Sequence, residues 1–309
     1  MKYLIIGAGG TGGSIAASMA AADMDVMAIA RGEHLAAIQK YGIETENASG
    51  AEHRAVPLRA SDMEHYSGEP DVIFVCVKGY SLDETIPFIS KIAGRDTIVI
   101  PLLNIYGTGG RMQEQLPDML VTDGCIYIAA EIRKPGVILR KGDIFRVIFG
   151  VRRQEEYRSS LEKIAEDLDK SHIEATVSEN IKRDALQKFS YVSPMAACGA
   201  YYDADAGAVQ QTGKERDMFI SLMGEIESLA EAMGIHFNVD IVRTNLEILD
   251  SLEPAASTSM QRDIKKGGRS ETDGLVFEVV RTGRKLGVPV PVYEKAAAEL
   301  GFEKQKEKF

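Results

Sequence analysis

The chain has 309 residues, of which 45% are hydrophobic and 27% charged, a composition typical of a globular protein with about two domains of ~100–200 residues each. Its formal net charge is −10 without a long basic run, which argues against nucleic acid as a partner because phosphate binding requires clustered Lys and Arg. The N-terminal apolar segment ends in glycines rather than a cleavage site, and no apolar run approaches the ~20 residues of a membrane span, so we expect a cytoplasmic protein that is not bound to membranes.

The first half of the chain alternates short apolar runs with helical patterns. Strands are predicted at Tyr3–Ile6, Val26–Ala30, Asp71–Val77 and Thr97–Ile100, with a helix rich in small residues at Thr11–Ala22. Continuous apolar strands indicate a parallel sheet covered on both faces, and their alternation with helices predicts right-handed βαβ crossovers. The remaining predicted elements are a hairpin of Ile43–Glu46 and His53–Val56 around the turn 47–50, strands at Cys125–Ala130, Val137–Leu139, Phe145–Phe149 and Ile173–Val177, and a helix marked by Leu161, Ile164 and Leu168.

After about residue 178 strand-like runs nearly vanish and helical spacing dominates. Helices are predicted over Ile181–Met195, with a kink or an end at Pro194, around Leu222–Met233 before Gly234, from Ile241 to Leu252 before Pro254, and from Leu275 to Leu286 before Gly287. The charged tail after Glu303 is expected to fray. We place the domain boundary between residues 177 and 178.

A glycine-rich hexapeptide, Gly7-Ala8-Gly9-Gly10-Thr11-Gly12, follows the first predicted strand and opens the first helix. In such a G-x-G-x-x-G turn, Gly7 permits the sharp bend, Gly9 lets a pyrophosphate approach the helix N-terminus, and Gly12 allows close helix–strand contact. This position in a βαβ pattern predicts an α/β fold, with a Rossmann-type parallel-sheet domain over residues 1–177 and an all-helical domain over residues 178–309. The alternatives are a glycine-rich turn without a ligand, or a site for FAD or another adenine nucleotide.

The end of the second predicted strand bears on the choice between NAD and NADP. An NAD site usually has Asp or Glu there, to bind the ribose 2′-hydroxyl. Here the strand ends in Arg31, whose guanidinium suits a 2′-phosphate, whereas Glu33 is expected to begin the next helix. The sequence therefore favours NADP over NAD, with a merely solvated arginine as the alternative.

Lys188 falls among apolar residues on the helical wheel of Ile181–Met195. Ile181, Ala185, Val192 and Met195 share its stripe, whereas Arg183, Gln187 and Ser190 lie on the opposite side, which is expected to face solvent. Burial would suit such a lysine to donate a proton or to polarise a carbonyl group. The alternative is a lysine whose aliphatic stem covers apolar surface while its ammonium reaches water.

Two polar segments follow in the helical half, at residues 257–264 and 270–273. Ser270 and Asp273 have the spacing of a capping pair, which would place Glu271 in the first helical turn, where the macrodipole favours a carboxylate. Helix stability alone would also explain Glu271. Surface exposure would equally explain Ser259 and Asp263, which lie one turn apart.

The cysteines and histidines give no support to a metal site or a disulfide framework. Cys76, Cys125 and Cys198 lie in apolar surroundings without a C-x-x-C pair, and the five histidines are scattered. We therefore expect three small core residues and no bound metal.

The order and spacing of these features resemble the ketopantoate reductases (2-dehydropantoate 2-reductases), NADPH enzymes of pantothenate biosynthesis, over almost the whole chain. The matching residues are the turn 7–12, Arg31 after the second strand, Val77-Lys78 after the VIFVCV strand, Asn104 after the Thr97–Ile100 strand, Lys188-Phe189, Ser259-Met260 with Asp263, and Glu271 with Asp273.

The resemblance implies an NADP-dependent oxidoreductase that acts on a small 2-keto acid. By the same resemblance, Lys188 is the catalytic acid that protonates the carbonyl oxygen, and Glu271 orients the substrate's hydroxyl. Ser259 would contact the substrate's carboxylate, and Asn104 would lie between the nicotinamide ribose and the substrate. The residues implied for the cofactor are the turn 7–12, Arg31, Lys78 and Asn104. Helical domains of similar reductases often dimerise, so a homodimer is expected, with the apolar helix Leu222–Met233 serving either an interface or the core.

The substrate side departs from the family pattern. Many members have Asn one and two helical turns after the lysine, where this chain has Val192 and Ala196, and many have Asn-Gly where it has Asn104-Ile105. We therefore predict reduction of a small 2-keto acid, with 2-dehydropantoate as the first candidate. The alternatives are a different 2-keto acid and an NADP-binding sensor without turnover.

Overall fold

The computed structural model describes residues 1–47 and 53–302, and the chain forms two compact units. The first, here called the Rossmann unit, consists of Met1–Leu103 and Gly107–Lys182, and the helical unit consists of Asn104–Tyr106 and Arg183–Phe309. Residues 104–106 therefore group with the helical unit although the chain on both sides of them belongs to the other. The turn of the predicted hairpin and the tail after residue 302 lie outside the described residues.

The Rossmann unit contains two sheets. Its strands are β1 (Lys2–Ile6), β2 (Asp25–Ile29), β3 (Ile43–Asn47), β4 (His53–Val56), β5 (Arg59–Ser61), β6 (Val72–Val75), β7 (Ile98–Pro101), β8 (Leu120–Val121), β9 (Asp123–Lys134), β10 (Val137–Gly150) and β11 (Glu174–Val177). The first sheet is entirely parallel, in the order β5-β2-β1-β6-β7-β8, as the apolar strands predicted. Its helices are α1 (Gly10–Ala21), α2 (Gly32–Tyr41), α3 (Leu82–Ile92), α4 (Thr108–Gln115) and α5 (Ser160–Lys170).

Both faces of the parallel sheet are covered, because successive side chains of β1 enter different cores. Tyr3 and Ile5 pack with side chains of α1, α5 and the second sheet, whereas Leu4 and Ile6 pack with side chains of α3 and α4. The side-chain period of two in a strand produces this division. Because β1 is parallel to both β2 and β6, the carboxyl ends of these three strands lie at one edge of the sheet.

The second sheet was not predicted as a separate layer. Its order is β11-β10-β3-β4, and β9 pairs antiparallel with β10. Val137–Leu139 and Phe145–Phe149, predicted as two strands, belong to the single strand β10, because pairing with β9 resumes after a register shift near Gly142, whose φ is +73°. The antiparallel pairing of β3 with β4 is confirmed.

The helical unit is formed by the helices that follow β11, of which the first begins two residues before the unit boundary at Arg183. They are α6 (Ile181–Tyr202), α7 (Ala206–Gln210), α8 (Lys214–Ala232), α9 (Ile241–Asp250), α10 (Ser259–Lys265), a π-helix (Asp273–Phe277), α11 (Glu278–Leu286) and α12 (Pro291–Glu299). Leu222, Ile226 and Leu229 of α8 are buried in this unit's own core. Among the described residues, no helix is long and apolar enough to span a bilayer.

Two expectations about these helices were wrong. Helix α6 does not end at Pro194 but continues to Tyr202, because residues 195–198 are buried and their packing offsets the ~3 kcal/mol cost of an interior proline. A kink at Pro194, the other outcome predicted there, stays a prediction. The capping pair is also absent: Ser270 Oγ lies 2.8 Å from Thr272 Oγ1, and the Asp273 carboxylate accepts from Arg281 at 2.8 and 3.0 Å.

Candidate active site

The glycine-rich turn lies at the carboxyl end of β1, as predicted. The backbone N–H groups of Gly7 and Ala8 both donate to the carbonyl oxygen of Ile29 at 3.1 Å, which joins the turn to the end of β2. Gly7 has a φ of +97°, a left-handed value that favours glycine. Gly9 then caps α1 in an extended conformation.

The surroundings of these glycines fit a dinucleotide pyrophosphate. A Cβ added to Gly12 would fall 2.1 Å from the Gly7 carbonyl oxygen, so only glycine allows α1 this close to β1. A Cβ added to Gly9 would meet nothing within 4 Å, so the backbone at the helix N-terminus is open to a phosphate. Thr11 is partly exposed in the first turn of α1, whereas Ala8 is buried. Gly10 faces inward instead, because its added Cβ would fall 2.4 Å from the Ala130 carbonyl oxygen of β9.

Two predicted cofactor residues follow strands that flank β1. Arg31 is the N-cap residue of α2, and its Nη1 lies 3.3 Å from Glu84 Oε2 with both side chains exposed. Lys78 is partly buried and precedes a short 3₁₀ helix after β6. The chain just before Lys78 contacts the turn, because an added Cβ at Gly7 would lie 3.0 Å from Val77 Cγ1.

A histidine that was not predicted as a site residue supports the turn. His34 Nε2 lies 2.7 Å from the Ala8 carbonyl oxygen, and His34 Nδ1 accepts from the Gly136 N–H at 3.0 Å. Because Nδ1 is the acceptor, Nε2 has the proton and donates to Ala8. His34 therefore joins the turn, α2 and the β9–β10 connection. No local pattern indicates this role, because Gly136 lies 102 residues away.

Lys188 lies on a half-buried face of α6, which it shares with Ala185 and Val192. The assignment of the opposite side to solvent was wrong, because Ser190 is fully buried there and its Oγ accepts from Asn245 Nδ2 at 3.0 Å. Ala196 is also fully buried. Because Lys188 is only half-buried, its side chain is restrained by neighbouring residues and can still reach a ligand.

Asn104 and Lys188 are in direct contact within the helical unit. Lys188 Nζ donates to Asn104 Oδ1 at 2.6 Å, across 84 positions of sequence. A second contact joins the same two segments, because the ring centroids of Tyr106 and Phe189 lie 6.1 Å apart. The short segment Asn104–Tyr106 therefore brings an amide oxygen to the lysine.

Glu271 and Ser259 lie on two further elements of the helical unit. Glu271 is 5% exposed, and its carbonyl oxygen accepts the N–H of Leu275 at 2.9 Å at the start of the π-helix. Ser259 is the first residue of α10, after the Thr258 N-cap, and is partly buried. Lys188 and Asn104 are thus in direct contact, and Ser259 and Glu271 are contributed by two other elements of the helical unit.

Comparisons with known proteins agree with the two-part architecture. A family model described as "Ketopantoate reductase PanE/ApbA" matches residues 3–154, and one described as "Ketopantoate reductase PanE/ApbA C terminal" matches residues 180–303. The chain belongs to the ketopantoate reductase family PanE/ApbA. It is therefore an oxidoreductase of that family, and the predicted fold class is confirmed.

Relatives of this family align over nearly their full lengths. A 2-dehydropantoate 2-reductase from Mesorhizobium japonicum is 26% identical over 319 residues, which cover 96% of each chain. A PanE/ApbA family ketopantoate reductase from Ralstonia eutropha JMP134 superposes with a TM-score of 0.89 at 23% identity, over 100% of both chains. A D-mandelate dehydrogenase in a ternary structure with NADH and anilino(oxo)acetate gives a TM-score of 0.86 at 20% identity, also over 100% of both. At these identities the two structures support the fold.

Proposed function

We propose that this chain is an NADPH-dependent reductase that reduces the ketone of a small 2-keto acid, with 2-dehydropantoate, which gives pantoate, as the first candidate substrate. The observation that supports it most is the 2.6 Å hydrogen bond that holds the Lys188 ammonium against Asn104. We assign cofactor binding to residues 1–177 and catalysis to residues 178–309.

A bound nicotinamide dinucleotide would supply the hydride. The chain's own residues have to hold the carbonyl group and stabilise the negative charge that develops on its oxygen. We assign that task to the Lys188 ammonium, which stabilises the oxygen and delivers a proton to it. The bond to Asn104 restricts the lysine side chain, so less conformational entropy is lost when it meets the carbonyl.

Glu271 and Ser259 are assigned to the rest of the substrate. The buried Glu271 carboxylate is suited to accept from a substrate hydroxyl, and Ser259 has a hydroxyl that can donate to a carboxylate. We assign the phosphates to the turn 7–12 and Lys78, and the 2′-phosphate to Arg31.

A second candidate is the reduction of a more apolar 2-keto acid. Val192 lies one turn after Lys188 on the same half-buried face, and it offers a substrate no hydrogen bond. The likeness to a D-mandelate dehydrogenase fold makes an aryl keto acid a useful probe.

Steady-state assays with NADPH and NADH against 2-dehydropantoate, 2-oxoisovalerate and phenylglyoxylate separate these functions. The proposal expects the highest kcat/KM for 2-dehydropantoate with NADPH. A higher kcat/KM for phenylglyoxylate would support the second candidate. Tight NADPH binding without oxidation by any keto acid would support a sensor instead.

A further inference from the structure

The π-helix Asp273–Phe277 begins two residues after Glu271. Single π-turns are rare in proteins and are frequent at functional sites. The Leu275 N–H donates to the Glu271 carbonyl oxygen at 2.9 Å, so a displacement of the π-helix would move Glu271 with it. A contact that fixes the π-helix therefore also restrains the backbone of Glu271, whose carboxylate is proposed to bind the substrate.

A buried pair of hydroxyl groups joins the π-helix to the lysine helix α6. Ser193 Oγ donates to the Leu275 carbonyl oxygen at 2.6 Å, and the Tyr293 hydroxyl lies 2.6 Å from the same Oγ. A serine has one hydroxyl proton and a carbonyl only accepts, so the Tyr293 hydroxyl donates to Ser193. Ser193 and Tyr293 are both 0% exposed, so solvent does not replace these bonds.

The π-helix also supports the segment that contains Asn104. A Cβ added to Gly274 would fall 2.3 Å from Ile105 Cδ1 and 2.7 Å from Ile105 Cγ1, so a larger residue there would force the Ile105 side chain to move. Ile105 follows Asn104 directly, and Asn104 Oδ1 accepts from Lys188. The π-helix thus contacts Glu271 and the residue that follows Asn104. A hydrogen bond also joins it to α6, the helix that contains Lys188.

We propose that Ser193, Tyr293 and Gly274 are positioning residues, which hold the π-helix so that Glu271 and Asn104 keep their places relative to Lys188. The inference rests on the proposed function of those three side chains. The positioning residues act through the π-helix and not by contact with the substrate. Their loss should therefore affect turnover more than cofactor affinity.

The test compares Ser193→Ala with Ser190→Ala in the full-length protein. Ser190 is a matched control on the same helix, because it is fully buried, donates to the Gln187 carbonyl oxygen and accepts from Asn245, away from the π-helix. A displacement of about 1 Å near a reacting group lowers rates by up to ~10²-fold, so we expect Ser193→Ala to lower kcat by roughly 10- to 100-fold. The Kd for NADPH should stay within about twofold of wild type, because the cofactor's phosphates are assigned to the other unit. Ser190→Ala should lower thermal stability to a similar degree and keep kcat.

Hydrogen exchange measured by mass spectrometry gives a second readout that needs no turnover. Peptides that contain residues 104–106 and 271–277 should exchange faster in Ser193→Ala but not in Ser190→Ala. If wild type reduces no keto acid, the proposed function fails, and the exchange rates still decide whether Ser193 holds these segments. Unchanged exchange, unchanged kcat, or an equal loss of kcat in both variants would each overturn the inference. Should Ser193→Ala not fold, Tyr293→Phe, which removes the hydroxyl group that donates to Ser193, must show the same changes with smaller magnitudes.

Discussion

Lys188 is the residue on which the proposed chemistry most depends. Lys188→Ala removes the group that stabilises and protonates the carbonyl oxygen, so kcat should fall by ~10²–10⁴-fold. Affinity for NADPH should stay nearly unchanged, because the turn 7–12 lies in the other unit. Lys188→Arg should not restore turnover, because a guanidinium keeps its proton at any working pH. Parallel measurements of kcat and NADPH Kd check this, with the exposed Lys182→Ala on the same helix as control. Near-normal turnover in Lys188→Ala would contradict the mechanism.

Arg31 allows a separate prediction about cofactor choice. Arg31→Ala should weaken NADPH far more than NADH, because a charge-assisted bond to the 2′-phosphate contributes on the order of 1.5–3 kcal/mol, or roughly ten- to a hundred-fold in Kd. The exposed Arg31–Glu84 pair contributes only about 0–1 kcal/mol, so a phosphate should displace Glu84. Glu84→Gln should then tighten NADPH by up to about fivefold and leave NADH unchanged. Titration of both variants with both cofactors checks this, and equal losses for the two cofactors would remove Arg31 from the role.

At this scale, the positions of Arg31 and Lys78 after strands were predicted, whereas the distant partners of Ser193 and His34 were not. Arg31 and Lys78 could be placed at strand ends, because strand spacing alone sets where a loop begins. The importance of Ser193 depends on a carbonyl group 82 positions away. A serine in a helical pattern otherwise indicates only a polar position. His34 was missed for the same reason.

At the scale of elements, the sequence predicted the parallel strands well because their side chains are apolar on both faces. It did not predict the second sheet, since the pairing of β10 with β3 and β11 joins segments that lie far apart in sequence. The π-helix also escaped prediction, because the apolar spacing of Leu275, Val279 and Leu286 fits an ordinary helix equally well. Both the second sheet and the π-helix depend on contacts between residues that lie far apart in sequence.

The contact between β1 and α5 yields a prediction about pH. The buried Asp167 carboxylate accepts from Tyr3 and from Lys163, each at 2.7 Å. Burial by itself would raise the pKa of Asp167, but these hydrogen bonds outweigh it and leave the pKa below the usual 3.8. A carboxylate with a lowered folded-state pKa stabilises the fold above its unfolded pKa, and that stability is lost as pH falls through the folded pKa.

Asp167→Asn should therefore lower the free energy of unfolding by about 1.5–3 kcal/mol at pH 7. The difference from wild type should stay constant between pH 5 and 7 and shrink below pH 3.8. Urea denaturation followed by circular dichroism at several pH values measures it. Glu166→Gln is the control, because that carboxylate is exposed on the same helix. If the difference in free energy of unfolding does not vary with pH, ionisation of Asp167 does not contribute to the stability of this contact.

At the scale of the whole molecule, each unit has a hydrophobic core of its own. The parallel sheet lies between two apolar clusters, and the helical unit has a third. The loss of strand-like runs after residue 178 predicted this change of architecture, since each kind of element has its own side-chain period. The apolar residues of α8 fill the core of the helical unit, so they give no separate reason for a homodimer, which stays a prediction.

Because the phosphates of the cofactor are assigned to the Rossmann unit, its binding should stabilise that unit most. A ligand at 100 times its Kd adds about 2.7 kcal/mol to the free energy of any opening that abolishes the site. With NADPH at that excess, backbone amides near Gly7–Gly12 and β1 should therefore exchange up to ~100-fold more slowly, with smaller effects around α8 and α12. Hydrogen exchange with and without NADPH checks this independently of any keto acid. Arg31→Ala at the same NADPH concentration should lose part of the protection. Protection confined to the helical unit would show that the assignment of the cofactor to the glycine-rich turn is wrong.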